Sequence, residues 1–387
     1  MLAIDWGSAR IKVAYLLAGA REPALCSFAG HPWLTSCAYV PDGNDASLIF
    51  GDAASELARD HPRGAVSGAT LCRITEVGSH RVPGRTVSAR EMLTALFGHI
   101  RARITQDGIA SLLASQHGLA VVVPFGVDRK AEAAIQDSAV QAGYPRESVT
   151  LILAPEATAL CGLRTHSTLP DNVIVLDCGA TTKWSWVRRE GASFRLVPTV
   201  RPDRLDDAGS TAVDLDVLDQ FQESAATDAD AVALTQHRSQ VLRCISRLRE
   251  TPRAGDAPLE VDIGDRVLYF DASILRASIQ RRLLQPVATS FEKFLNATRL
   301  QCQDEPVILL SGGASRTRGF RETIEEFGVP VVTTGHGDSD AVRGALLGLL
   351  PPLTATHAPR PTGGNRSRGQ ANTRIAEVNS RDKDAAS

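Results

Sequence analysis

The chain has 387 residues, a formal net charge of −2 and 43% hydrophobic residues. That length is enough for two domains, or one large bilobed one with a sizeable core, and the charge offers no global basic field for nucleic acid or an anionic membrane. Seven cysteines are scattered without a CxxC pair, which fits reduced thiols in a cytoplasmic protein better than a disulfide framework.

Residues 1–17 are expected to form strand, turn and strand, because Ile11, Val13 and Tyr15 alternate with Lys12 and Ala14. Asp5, Arg10 and Lys12 interrupt the hydrophobic stretches, so this segment is neither a signal peptide nor a membrane span. Asp42-Gly43-Asn44-Asp45 is a turn, followed by a short strand at Leu48–Phe50 and a helix over Ala53–Arg59. The stretch Pro62–Gly84 is rich in glycine and arginine and has little periodicity. A helix is expected over 88–105, with Ser88 and Glu91 spaced as a capping box.

Leu119–Val123 is a continuous apolar run that fits a buried strand, and Val149–Leu153 is another strand. Between them Asp128 opens a helix that stops at Gly143, and after the second strand Pro155–Cys161 forms a short helix. Polar residues at 165–171 mark the boundary between two halves. The second half carries a strand at Val173–Leu176, a meander through Ser185–Val187 and Phe194–Val197, and helices near 207–221, 229–250 and 273–300. Leu259–Ile263 and Arg266–Phe270 flank the hairpin signal Gly264-Asp265. After a last helix over Ser339–Leu350, residues 352–387 have almost no large apolar side chains and are expected to form a disordered polar tail.

Three glycine turns punctuate this plan, each following a hydrophobic strand. They are Asp5-Trp6-Gly7-Ser8, Asp177-Cys178-Gly179-Ala180-Thr181-Thr182 and Ser311-Gly312-Gly313-Ala314-Ser315-Arg316. A glycine turn lets backbone N–H groups close on phosphate, and a strand-end aspartate can hold a metal ion.

Ile4-Asp5-Trp6-Gly7-Ser8 resembles the first phosphate loop of the actin, sugar-kinase and heat-shock ATPase superfamily, and the nearest match within it is the 70-kilodalton heat-shock chaperone family. Val121–Phe125 with the helix from Asp128 to Gly143 is similar to that family's first connecting motif, and Ala154–Ala159 to its Glu-Pro-Thr-Ala-Ala turn. Val175–Thr182 resembles the second phosphate loop, Leu310–Arg316 the adenosine loop, and Asp340–Ala345 the helix start that closes the site. These motifs occur in the family's order from residue 1 to about 350.

The resemblance implies an α/β fold of two lobes, each built on a five-stranded mixed sheet of ribonuclease-H type flanked by helices. Lobe I would span 1–167 with an inserted subdomain at about 36–105, and lobe II 168–351 with an insert at about 222–300. ATP or ADP would lie between them with Mg2+ held through water by Asp5 and Asp177. Phosphates would meet the amides of Gly7, Ser8 and Ala9 and of Gly179, Ala180 and Thr181. Glu156 would orient the attacking water and Thr182 would offer a hydroxyl to the γ-phosphate. Gly209, Gly312, Gly313, Ala314 and Ser339 complete the implied nucleotide contacts, with Arg316 and Arg249 near the base.

The sequence also departs from the family. Alignment puts Thr70 where the family has a lysine that faces the γ-phosphate; Arg73, Arg10 and Lys183 are alternatives that no motif places there. Trp184 replaces an aspartate, Ala180 and Thr181 replace glycines, and Ser246 replaces a glutamate on the purine helix. Trp184 and Trp186 fit core packing better than a substrate platform. The residues after Pro352 are too few and too polar to supply the family's peptide-gripping β-sandwich and helical lid. The expectation is therefore a protein that binds ATP or ADP, hydrolyses it slowly or not at all, and signals cleft closure to a co-chaperone-like or client-like protein partner. An inactive nucleotide-binding scaffold and an actin-like filament ATPase are the alternatives.

Overall fold

A computed structural model describes residues 1–43, 46–106, 118–251, 257–264 and 266–350. The expected tail at 352–387, Asn44 and Asp45 of the first turn, and Asp265 lie outside the described residues. The described chain is mixed α/β, with two six-stranded mixed sheets and smaller sheets inserted between their strands.

The first sheet runs Val149–Leu153, Leu119–Val123, Leu2–Trp6, Arg10–Tyr15, Ala24–Leu25, with Leu34–Thr35 also paired to Arg10–Tyr15. The second runs Val331–Thr333, Val307–Ser311, Asn172–Cys178, Thr182–Glu190, Ser193–Leu196, with Asp203–Leu205 paired to Thr182–Glu190. Each begins with an antiparallel hairpin, and each then crosses over to two further strands that run parallel to the hairpin's first strand. The same strand order and directions therefore occur twice, and each sheet adds a short sixth strand to the five expected.

Alternation within the strands divides the core. Ile4, Val13 and Val121 face a cluster with Met92, Leu96 and Ile135, whereas Ala3, Ala14 and Val122 face Ala157, Val342 and Leu346. In the second sheet Ile174, Leu176 and Ile308 face Val217, Phe221 and Phe291, whereas Val173, Val175 and Leu309 face Ala159. The helices Ala154–Thr165 and Asp340–Gly348 thus form a central pair. The first follows a strand of the first sheet and also packs on the second; the other follows the second sheet and packs on the first. Gly344 permits their crossing, since a Cβ there would lie 1.7 Å from the Ala157 carbonyl oxygen. Residues Met1–Leu350 form one compact unit.

Local differences from the sequence reading have local causes. Pro62–Gly84 holds a strand at Ala65–Ser67 and two short helices, Gly68–Cys72 and Ile74–Val77, too short for periodicity to register. The Ser88 hydroxyl accepts the Glu91 N–H at 3.1 Å, but the Glu91 carboxylate turns to Arg85, so only half of the capping box forms. The short helix expected at 155–161 extends over Ala154–Thr165. The region 273–300 contains a π-helical turn at Gln280–Leu284 between Ala272–Ile279 and Gln285–Arg299. Trp184 and Trp186 are core residues, the former edge-on to Phe291 and Phe294. Among the described residues no helix is long and apolar enough to cross a membrane.

Candidate functional site

Period-2 alternation carries Asp5 onto the face occupied by Ala3, and Asp177 onto the face occupied by Val173 and Val175. Both carboxylates therefore lie on the faces that carry the central helices. A cavity of about 910 Å³ opens there, and Asp5 and Asp177 both line it. Ala154, Pro155 and Thr158 bring the N-terminal end of one central helix to its wall, and Ala341 brings that of the other. Helix N-termini favour anions through their unpaired N–H groups and the aligned peptide dipoles.

Each hairpin sets a lysine across from its strand-end aspartate. The Gly7 N–H donates to the Arg10 carbonyl at 3.0 Å, closing the first turn, and the Gly179 N–H donates to the Thr181 carbonyl at 3.0 Å, closing the second. Lys12 stands opposite Asp5 in the first register, with Nζ 3.6 Å from Oδ2, and Lys183 stands opposite Asp177 in the second. Burial raises the Asp5 carboxyl above its usual range; Lys12 opposes that rise, Asp177 adds to it, and Lys183 opposes it. The third turn closes differently. Gly312 has φ +84°, and a Cβ on it would lie 2.6 Å from Asp177 Oδ1, so both backbone and space require glycine.

Gly7, Ser8, Ala9, Gly179, Ala180, Thr181, Gly312, Gly313, Ala314 and Arg249 all line the cavity with the two aspartates. The remaining candidates do not. Glu156 is buried and its Oε1 accepts the Leu196 N–H at 2.9 Å, so its carboxylate secures an edge strand of the second sheet instead of facing the cavity floor. The Thr182 hydroxyl is buried against Cys178 Sγ at 3.3 Å, because Thr182 alternates onto the core face. Gly209 packs behind the second turn against the Ala180 carbonyl. Arg316 pairs with Glu250 at 3.2 Å beside the third turn, and Ser339 is buried with its hydroxyl between Arg343 and His336. Thr70 is not part of the lining either, although its hydroxyl is 3.1 Å from that of Ser67, which is.

Other groups complete the wall. Cys72 lines the cavity and its thiol donates to the Trp6 carbonyl at 3.0 Å; burial pushes that thiol up to about 12, so it stays protonated. Arg249 Nε donates to Asp214 at 3.1 Å, and burial pushes the Asp214 carboxyl up to about 6 against the pull of that arginine. Arg10, from the first hairpin, reaches Asp338 of the second half at 3.0 Å and stacks 4.1 Å over Trp33. Arg73 meets Glu76 at 2.7 Å, Arg204 meets Asp206 at 2.9 Å, and Arg282 meets Asp216 at 2.9 Å.

The sequence reading missed Lys12, Asp214, Arg10–Asp338 and the wall formed by Gly68, Cys72 and Glu76. For Lys12 a signal was present: folding the chain about the Gly7 turn sets residue 12 opposite residue 5.

No protein-family model matches the sequence, and no curated protein matches it. Among the described residues no group of three or more His, Cys, Asp or Glu side chains is arranged to hold a metal ion. Asp5 and Asp177 alone are two hard oxygen donors, a set that fits magnesium carried largely by its own waters.

Proposed function

We propose that the chain binds ATP or ADP between its two sheets, with the phosphates on the Gly7 and Gly179 turns and the base toward Gly313 and Arg249. The observation that carries this reading is the repeated hairpin, which turns a strand-end aspartate and a glycine turn toward one cavity from each sheet. A volume of about 910 Å³ is ample for a nucleotide. In this reading the fold is the two-lobed actin-like ATPase architecture, and the chain is a divergent relative of the heat-shock chaperone nucleotide-binding domain working in the cytoplasm. Asp5 and Asp177 would hold Mg2+ through water, and the ion would supply charge neutralisation at the phosphates.

Because the binding groups come from both sheets, a nucleotide gains its full set of contacts only with the two halves together, and cleft closure is the state signalled to a protein partner. Hydrolysis is slow or absent. Thr70 carries no charge and is not part of the cavity lining, and the Glu156 carboxylate is committed to Leu196, so neither supplies a charged group to the phosphates. Those two observations also favour a second reading, a nucleotide-binding scaffold without catalysis.

Isothermal titration with ATP and with ADP, each with magnesium, tests the site. Binding is expected and should weaken in Asp5→Asn and Asp177→Asn; unchanged affinity in both variants would refute the placement. Single-turnover hydrolysis then separates the two readings, a rate equal to buffer alone selecting the scaffold.

A further inference from the structure

We propose that Lys183 is the phosphate-anchoring cation of this cavity, taking the terminal phosphates of a bound nucleotide from the second half of the chain. The proposal rests on the nucleotide reading above and deepens it, because it assigns the residue that neutralises the polyphosphate.

The placement follows from alternation. Thr182, Trp184 and Trp186 are buried on the core face of their strand, which leaves Lys183 and Ser185 on the cavity face. Cross-strand partners of those two are Asp177 and Val175, which also line the cavity. Lys183 is half-buried, yet its charge is felt by Asp5 and by Cys72, both contributed by the first half. Its ammonium therefore projects to where the two aspartate turns converge.

The charges around it single it out. Each other cation of the wall has a carboxylate partner: Lys12 has Asp5, Arg10 has Asp338, Arg73 has Glu76, and the arginines farther along have Asp206, Asp214 and Asp216. Lys183 makes no ion pair within 4.0 Å among the described residues. Asp177 and Asp5 lie near Lys183 but neither closes an ion pair on it, so its ammonium keeps its donors open to an anion entering the cavity. The turns on either side offer N–H groups to such an anion, and a polyphosphate suits a compact point charge such as lysine. The group expected at Thr70 is thus supplied from the opposite wall.

The test compares ATP, ADP, adenosine and inorganic pyrophosphate by isothermal titration on the full chain and on Lys183→Met, Lys183→Gln and Lys183→Arg. Losing one charge-assisted contact should weaken ATP, ADP and pyrophosphate by about ten- to a hundredfold, leave adenosine unchanged, and be largely restored by arginine. The ligand-free melting temperature of Lys183→Met should change little, since no close ion pair is lost. Unchanged ATP affinity in both neutral variants overturns the assignment while leaving the nucleotide site standing. An equal loss for adenosine and ATP also overturns it, because that pattern belongs to a structural role. A parent chain that binds none of the four ligands overturns the nucleotide reading itself.

Discussion

Lys12 Nζ sits 3.6 Å from Asp5 Oδ2 across the first hairpin, with only 13% and 18% of the two side chains exposed. Burial raises the Asp5 carboxyl and Lys12 is the largest opposing influence, so each charge depends on the other. Removing one partner leaves the other uncompensated, whereas removing both need cost little. Urea unfolding of the parent, Lys12→Met, Asp5→Asn and the double variant should give a coupling energy of about 1–3 kcal/mol. Additive losses would show that the pair is not coupled.

Asp340 is one source of pH dependence, beside Asp214. It is fully buried at the start of the central helix Asp340–Gly348, where Thr334 donates to its Oδ1 and Oδ2 has no hydrogen-bond partner among the described residues. Burial pushes its carboxyl up to about 6, opposed chiefly by the Thr334 hydrogen bond. Because the folded state holds this proton more tightly than the unfolded chain, the contribution is fully present below about pH 4 and is lost as pH rises through 6. Asp340→Asn lacks that titration. Its stability relative to the parent should increase by on the order of 2–3 kcal/mol between pH 4 and 7.5, read from unfolding curves at each pH. A pH-independent difference would remove Asp340 from the account.

Much of this architecture is legible in the chain. The runs Leu119–Val123 and Val149–Leu153 announced strands, the first buried throughout and the second, at the sheet edge, buried at Val149 alone. The Asp128 cap and Gly143 stop bracketed the helix between them, observed as Arg129–Gln141 with the Ala131 N–H donating to Asp128. Most residues of the three glycine turns line the cavity, although the greater part of its wall comes from elsewhere in the chain. Side-chain direction was harder to read. Thr182 and Lys183 are neighbours in sequence, yet alternation sends the first into the core and the second to the cavity. Glu156 lies on a helix whose residues 154, 155 and 158 reach the cavity, while its own carboxylate faces strand Ser193–Leu196. A partner 40 positions away in sequence leaves no local signature.

Arg10 and Asp338 join the two halves at the cavity rim, 3.0 Å apart, with 32% and 22% of their side chains exposed. Partial exposure limits the pair's stability contribution to about 1 kcal/mol or less, but under the nucleotide-binding proposal its position would make it a clasp on cleft opening. Arg10→Ala and Asp338→Ala should therefore leave the melting temperature nearly unchanged while speeding release of a fluorescent ATP analogue several-fold in stopped flow. The Trp33 stack gives Arg10→Ala the larger effect. Release rates matching the parent in both variants would exclude the clasp.

The crossing of the central helices offers the most demanding packing test. A methyl group at Gly344 would fall 1.7 Å from the Ala157 carbonyl oxygen and 3.0 Å from the Cys161 nitrogen, and backbone cannot swing aside as a side chain can. At Gly348, one turn on, the nearest atom is the end of Leu160 at 2.9 Å, a flexible group that can move. Gly344→Ala must then push apart the helices on which both sheets rest, costing about 3 kcal/mol or more, whereas Gly348→Ala should cost less than about 1 kcal/mol. The loss at Gly344 should also weaken ligand binding, because Ala341 and Pro155, which line the cavity, stand on those same two helices. Chemical unfolding of the two variants in parallel decides the matter, and equal losses would mean that the crossing is not as close as the Gly344–Ala157 approach requires.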